Sequence, residues 1–168
     1  MNLKEIMYAR RSIRKFKDTK VKDEDIKYLL EAAMSAPSAC NRTPWEFYVV
    51  TDQEVLDKFY TIRPMRYKAP LAIVVCGNTN YTLKEHLADY YIQDCSAAIE
   101  NILLGATELG LGSCWCGIVP QPDRMAQAKE FLSLEDNIIP FALVYIGYPD
   151  EEKEPRTQYD ESKVHYVK

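Results

Sequence analysis

The sequence predicts an α+β fold: a mixed sheet with helices on it, in a single domain over residues 1–168. Three observations point there. Runs rich in β-branched, aromatic or other apolar residues at 47–50, 71–76, 113–118 and 141–146 read as strands, with helical stretches of several lengths between them. Apolar residues make up 47% of the chain and charged residues 27%, which supports a packed core over disorder. No internal repeat appears, and a chain of 168 residues buries roughly 70% of its unfolded surface.

The elements follow in order. A first helix over residues 3–8 places Leu3, Ile6 and Met7 on one face, then runs into Arg10-Arg11-Ser12-Ile13-Arg14-Lys15. A second, over 22–34, buries Ile26, Leu29, Leu30 and Ala33; Asp23, Glu24 and Asp25 in its first turn suit the helix dipole. Ala36-Pro37-Ser38 ends it. The strand at 47–50 is followed by Thr51-Asp52-Gln53-Glu54, whose capping-box spacing predicts a short helix. Pro64 and Pro70 punctuate the approach to the strand at 71–76.

The longest helix is expected over 85–109, with Leu87, Tyr91, Cys95, Ala98, Ile102, Ala106 and Leu109 along one side and Ile99 and Leu103 widening the stripe. Such an apolar helix needs cover on more than one side, from its own core or from a partner subunit. Gly110 and Gly112 end it, and the strand at 113–118 follows. A helix over 122–131, with proline in its first turn, leads to the last strand at 141–146. The tail from 149 is charged, but Tyr159, Val164, Tyr166 and Val167 give it something to pack with, so it either frays or drapes over another surface, such as a neighbouring chain.

Bulk properties exclude several classes. Basic residues number 21 against 25 acidic, so nothing suggests nucleic acid or an acidic membrane as partner. The start, MNLKEIMYARR, has no apolar signal core, and the most apolar segment, 95–119, is interrupted by Glu100, Asn101 and Glu108. A cytoplasmic protein without a membrane span is expected. Five cysteines at irregular spacing read as buried, inert thiols in a reducing compartment, not as a disulfide scaffold or a metal site.

Two stretches carry chemistry. Arg10, Arg11, Ser12 and Arg14 offer guanidinium forks and a hydroxyl; they form either an anion site or a solvated basic face. Pro37-Ser38-Ala39-Cys40-Asn41-Arg42-Thr43-Pro44-Trp45 is a rigid connector in which Ser38 and Asn41 can present polar groups to a planar heterocycle. Trp45 reads as core or interface. Gly110-Leu111-Gly112 is no dinucleotide fingerprint, because it follows a helix and Trp115 replaces the third glycine. No nucleophile triad or carboxylate pair stands out, which is compatible with chemistry carried by a cofactor.

Together these stretches resemble the nitroreductase family. The segment from Arg10 to Phe16 is similar to its N-terminal flavin-phosphate motif, and the segment from Ala36 to Trp45 to the motif before its first strand. Asn101 in the core helix, Gly110-Leu111-Gly112-Ser113-Cys114-Trp115, and Ile146-Gly147-Tyr148-Pro149 followed by Arg156 match in family order over nearly the whole chain. The resemblance implies a mainly antiparallel sheet flanked by helices and a homodimer with FMN at the subunit interface. The extension at 149–168 would pack on the partner subunit. It implies that Arg10, Ser12 and Arg14, with Arg11 in the same motif, hold the phosphate and ribityl region, and that Arg156 reaches the phosphate. Pro37, Ser38, Ala39 and Asn41 would line the ring, and Gly117, Ile118 and Val119 would give loop contacts. Arg63, Arg66 or Lys68 would support the ring's N1/O2 edge, with no choice among them. NADH or NADPH would donate electrons and a nitroaromatic, quinone or related small molecule accept them by a ping-pong mechanism, with no catalytic side chain and no metal. A specialised flavin reaction on the same fold, such as reductive dehalogenation or flavin fragmentation, and a non-catalytic FMN-binding role stay open. Cys40 stands where the motif often has glycine, and either narrows the pocket or packs.

Overall fold

The structure, a computed structural model, describes residues 1–62 and 68–168. The described elements are α1 (Leu3–Ala9), α2 (Asp23–Met34), β1 (Trp45–Val50), α3 (Gln53–Ile62), β2 (Leu71–Asn78), α4 (Tyr91–Glu108), β3 (Gly112–Gly117), α5 (Pro122–Leu132) and β4 (Ile138–Gly147). The strands form one sheet in the order β1-β2-β4-β3, and all three ladders are antiparallel. The parallel component of the expected mixed sheet is a single bridge, Ser12 to Ser113, on the outer edge of β3.

Helices cover both faces, so β2 is buried along its whole length instead of alternating. Ile73, Val75, Val144 and Ile146 face Leu29 and Ala33 of α2 and Ile99 and Ile102 of α4. Val74, Leu143, Tyr145 and Cys114 face Leu56 and Phe59 of α3 and Ala128 of α5. Ile99 and Ile102 are fully buried, each worth about 1.5–3 kcal/mol in transfer from water. The sheet beneath α4 and α2 beside it supply the cover its apolar stripe demands; Asn101 Nδ2 donates to Ala32 O at 2.9 Å across the two helices.

Three local expectations change. The helix over 85–109 forms as a 3-10 stretch, Glu85–Tyr90, leading into α4; Glu85 lies at φ 57 and the stretch has no buried residue to hold an α-helical turn. The cap of α3 is Asp52, not Thr51: its carboxylate accepts from Val55 N at 3.0 Å. The last strand starts earlier, at Ile138, and includes Pro140. The register there shifts from Val75 opposite Ala142 to Cys76 opposite Pro140, leaving Phe141 as the extra residue of a bulge.

Two glycines let the basic segment reach the sheet. A Cβ on Gly112 would lie 2.7 Å from Ile13 Cγ2, and one on Gly147 would lie 2.7 Å from Pro70 Cδ and 3.1 Å from Phe16 Cδ1. These neighbouring positions, paired across β3 and β4, form a seat into which Ile13 and Phe16 sink as buried residues. Among the described residues no helix is long and apolar enough to cross a membrane.

Candidate flavin site

The basic segment leaves α1 at Arg10, whose amide closes the last helical turn on Ile6 O at 2.9 Å. It then lies along β3, where Ile13 N donates to Ser113 O at 2.9 Å. The C-terminal segment holds the opposite side: Arg156 N donates to Tyr8 O at 3.0 Å, and the Arg11 guanidinium donates to the carbonyl of Glu154. Arg10 and Arg156, from opposite ends of the chain, thereby line one cavity of about 290 Å³ with Tyr8, Glu100, Thr157 and Gln158. Arg10 Nε lies 3.8 Å from Glu100 Oε1; the side chains are 25% and 50% exposed, so the pair is weak, about 0–1 kcal/mol. A stronger anion can displace that carboxylate. Ser12 is half-buried and Arg14 exposed, and neither lines this cavity. Arg11 is committed to its own chain's carbonyl.

The Pro37–Asn41 region lies elsewhere on α4. Ala39 N donates to the buried carboxylate of Asp94 at 2.8 Å. The Ser38 hydroxyl accepts from Thr43 N at 2.9 Å, which closes the loop on itself. Cys40, Asn41 and Thr43 all have left-handed backbone, φ 52, 52 and 46. Cys40 is exposed, unlike the other four cysteines, which are buried as expected. Burial pushes the Cys95 thiol up to about 12, so it is inert. The left-handed backbone at Cys40 explains why glycine suits that position. Pro37 and Asn41 are exposed, and none of Pro37, Ser38, Ala39 or Asn41 lines the cavity of Arg10 and Arg156.

Gly117, Ile118 and Val119 end β3. The amides of Ile118 and Val119 both donate to Phe141 O, at 3.1 and 3.0 Å, and Ile118 is fully buried. What remains available there is the exposed Gly117 backbone and the half-buried Val119. Of the candidates for the ring's N1/O2 edge, Arg63 and Arg66 lie outside the described residues. Lys68 pairs with Asp57 at 2.5 Å and holds that carboxyl below its usual range.

Sequence reasoning missed Asp94, and it named Trp115 only as part of a motif. Asp94 was signalled by its place: it sits three residues after Tyr91 and four before Ala98, on the apolar stripe, where a carboxylate needs a partner. Trp115 lies between Ser113 and Gly117 on the face of β3 toward α4, 36% exposed and edge-on to Phe141 at 6.3 Å.

An antiparallel sheet covered on both faces, with arginines strapped to its edge and a rigid polar loop, defines an α+β protein. The profile of the Nitroreductase family matches residues 7–63 and 60–148, and the chain belongs to that family. It is 44% identical over 169 residues to a protein of Archaeoglobus fulgidus, with 97% and 96% of the two chains covered; that protein carries the provisional name NADH dehydrogenase/NAD(P)H nitroreductase. An FMN-dependent nitroreductase of Clostridium difficile superposes with a TM-score of 0.87 at 34% identity, covering 98% of each chain. A protein of Desulfovibrio desulfuricans, provisionally a nitroreductase and solved in complex with FMN, gives a TM-score of 0.80 at 28% identity, covering 99% and 98%.

Proposed function

We propose that this chain is an FMN-dependent oxidoreductase that takes electrons from NADH or NADPH and passes them to nitroaromatic, quinone or related acceptors. The observation that carries the reading is the convergence of Arg10 and Arg156 on one cavity from opposite ends of the chain. Two always-charged forks suit a phosphate, and the donors fit FMN. Arg10 and Arg156 hold the phosphate, with Ser12 and Arg14 beside them on the same strapped segment. Pro37, Ser38, Ala39 and Asn41 meet the ring, Asn41 offering both a donor and an acceptor to its polar edge. Gly117 and Val119 border it.

Bound FMN supplies reversible hydride chemistry, so no protein nucleophile or general acid is assigned. The side chains named would hold and orient the flavin, and a site that donor and acceptor would share in turn fits a ping-pong scheme. Because the loop at 37–41 lies outside the arginine cavity, we assign the two halves of each site to different subunits of a homodimer. Exposed Leu3, Met7 and Tyr28 on α1 and α2, and Tyr159, Tyr166 and Val167 in the tail, provide apolar surface for such a contact.

The test is an anaerobic spectrum of the FMN-reconstituted protein before and after NADH or NADPH. Retained flavin whose visible band bleaches, then returns on adding a nitroaromatic or quinone, is the expected result. Retained flavin that no pyridine nucleotide bleaches would contradict the reductase reading, and failure to retain FMN would contradict the site.

A further inference from the structure

The alternating arginines depend on a backbone that side chains from the far end of the chain hold in place. Glu151 Oε1 accepts from two successive amides, Arg14 N at 2.6 Å and Lys15 N at 3.2 Å. Lys153 Nζ lies 3.3 Å from that same oxygen and donates to Ser12 O at 2.6 Å. The two side chains are only 28% and 23% exposed. Their flanks are pinned as well: Asp150 N donates to Lys15 O at 2.9 Å, and Lys17 N to Tyr148 O at 2.8 Å.

This arrangement decides which residues face the ligand. In an extended backbone residues two apart share a side, which would set Arg11, Ile13 and Lys15 opposite Arg10, Ser12 and Arg14; of the latter three, Arg10 is the one that lines the cavity. Ile13 is buried, the Arg11 guanidinium meets the Glu154 carbonyl, and Lys15 pairs with Asp150 at 2.8 Å, as that alternation requires. At residues 14 and 15 two successive amides meet one oxygen. Ile13 and Phe16, three apart, enter the same core cluster.

We propose that Glu151 and Lys153 are positioning residues for the flavin phosphate, fixing the Ser12–Lys15 backbone that follows Arg10 so that Arg10 keeps its place in the cavity it shares with Arg156. This rests on the FMN reading. They act on the phosphate end alone, because neither touches the 37–41 loop in any described bond.

The experiment measures dissociation constants of FMN and of riboflavin, which lacks the phosphate, on the flavin-free full chain. Wild type is expected to prefer FMN. Glu151→Ala lowers that preference by about tenfold, the scale of hydrogen bonds to a charged group, with riboflavin affinity unchanged. Glu151→Gln retains most of it, since an amide oxygen accepts the same two bonds. Lys153→Met lowers it by about threefold and keeps the proposal testable if Glu151→Ala fails to fold. An unchanged preference in Glu151→Ala or Lys153→Met would overturn the proposal, as would equal loss of both flavins, which marks a merely structural role. Wild-type protein that binds riboflavin as tightly as FMN, or binds neither, would overturn the FMN-phosphate reading together with this one.

Discussion

The basic segment at 10–16 and the loop at 37–43 are rigid for opposite reasons. The first is held by distant partners: β3 on one side, the 148–156 segment on the other, and two buried apolar plugs beneath. The second is held locally, by the Ser38 hydroxyl on Thr43 N and by left-handed turns, with Asp94 as its long-range anchor. One half presents charge on a borrowed scaffold. The other presents amide and hydroxyl groups on a scaffold of its own. The proposed FMN, with a charged phosphate and a neutral polar ring edge, would call for that division.

Variants can break the comparison at either half. Arg10→Ala should weaken FMN by about a hundredfold and leave riboflavin within about twofold, because only charge-assisted bonds to phosphate are lost; flavin titration reads both. Asp94→Ala strips the acceptor from Ala39 N in a buried place. It should cost about 2 kcal/mol in denaturant unfolding, and unlike Arg10→Ala it should weaken riboflavin and FMN alike. Cys40→Gly relieves a left-handed non-glycine residue and should raise stability by about 1 kcal/mol, read in the same unfolding experiment. Glu100→Gln removes the carboxylate that competes for Arg10 and should tighten FMN about threefold with riboflavin unaffected, the smallest effect of the four.

Legibility followed the same divide. The strands, α2 and α5 were readable because their patterns are local: an apolar stripe, an acidic first turn, a proline at an acceptable position. The arginines were visible as charge, but whether they formed a site or a solvated face depended on Glu151, Lys153 and Glu154, which lie beyond any local window. The seat for Ile13 and Phe16 was likewise hidden: Gly112 and Gly147 appear in the sequence as a helix end and part of a motif, and only the pairing of β3 with β4 makes them neighbours. In the loop, composition marked rigidity but not the left-handed backbone at Cys40, Asn41 and Thr43, since three non-glycine residues there oppose ordinary preference. Asp94 was legible in principle, as a carboxylate on an apolar stripe.

The central claim is that each flavin site joins the arginine half of one subunit to the loop half of another. Subunit complementation tests it most directly. Arg10→Ala and Asn41→Trp chains, each damaged in one half, are co-expressed with different tags, and the doubly tagged dimer is assayed for bound FMN. The account predicts that neither homodimer retains flavin while the mixed dimer retains one FMN, from its one intact pairing. A doubly tagged dimer without FMN would contradict it, by placing both halves of the site in the same chain.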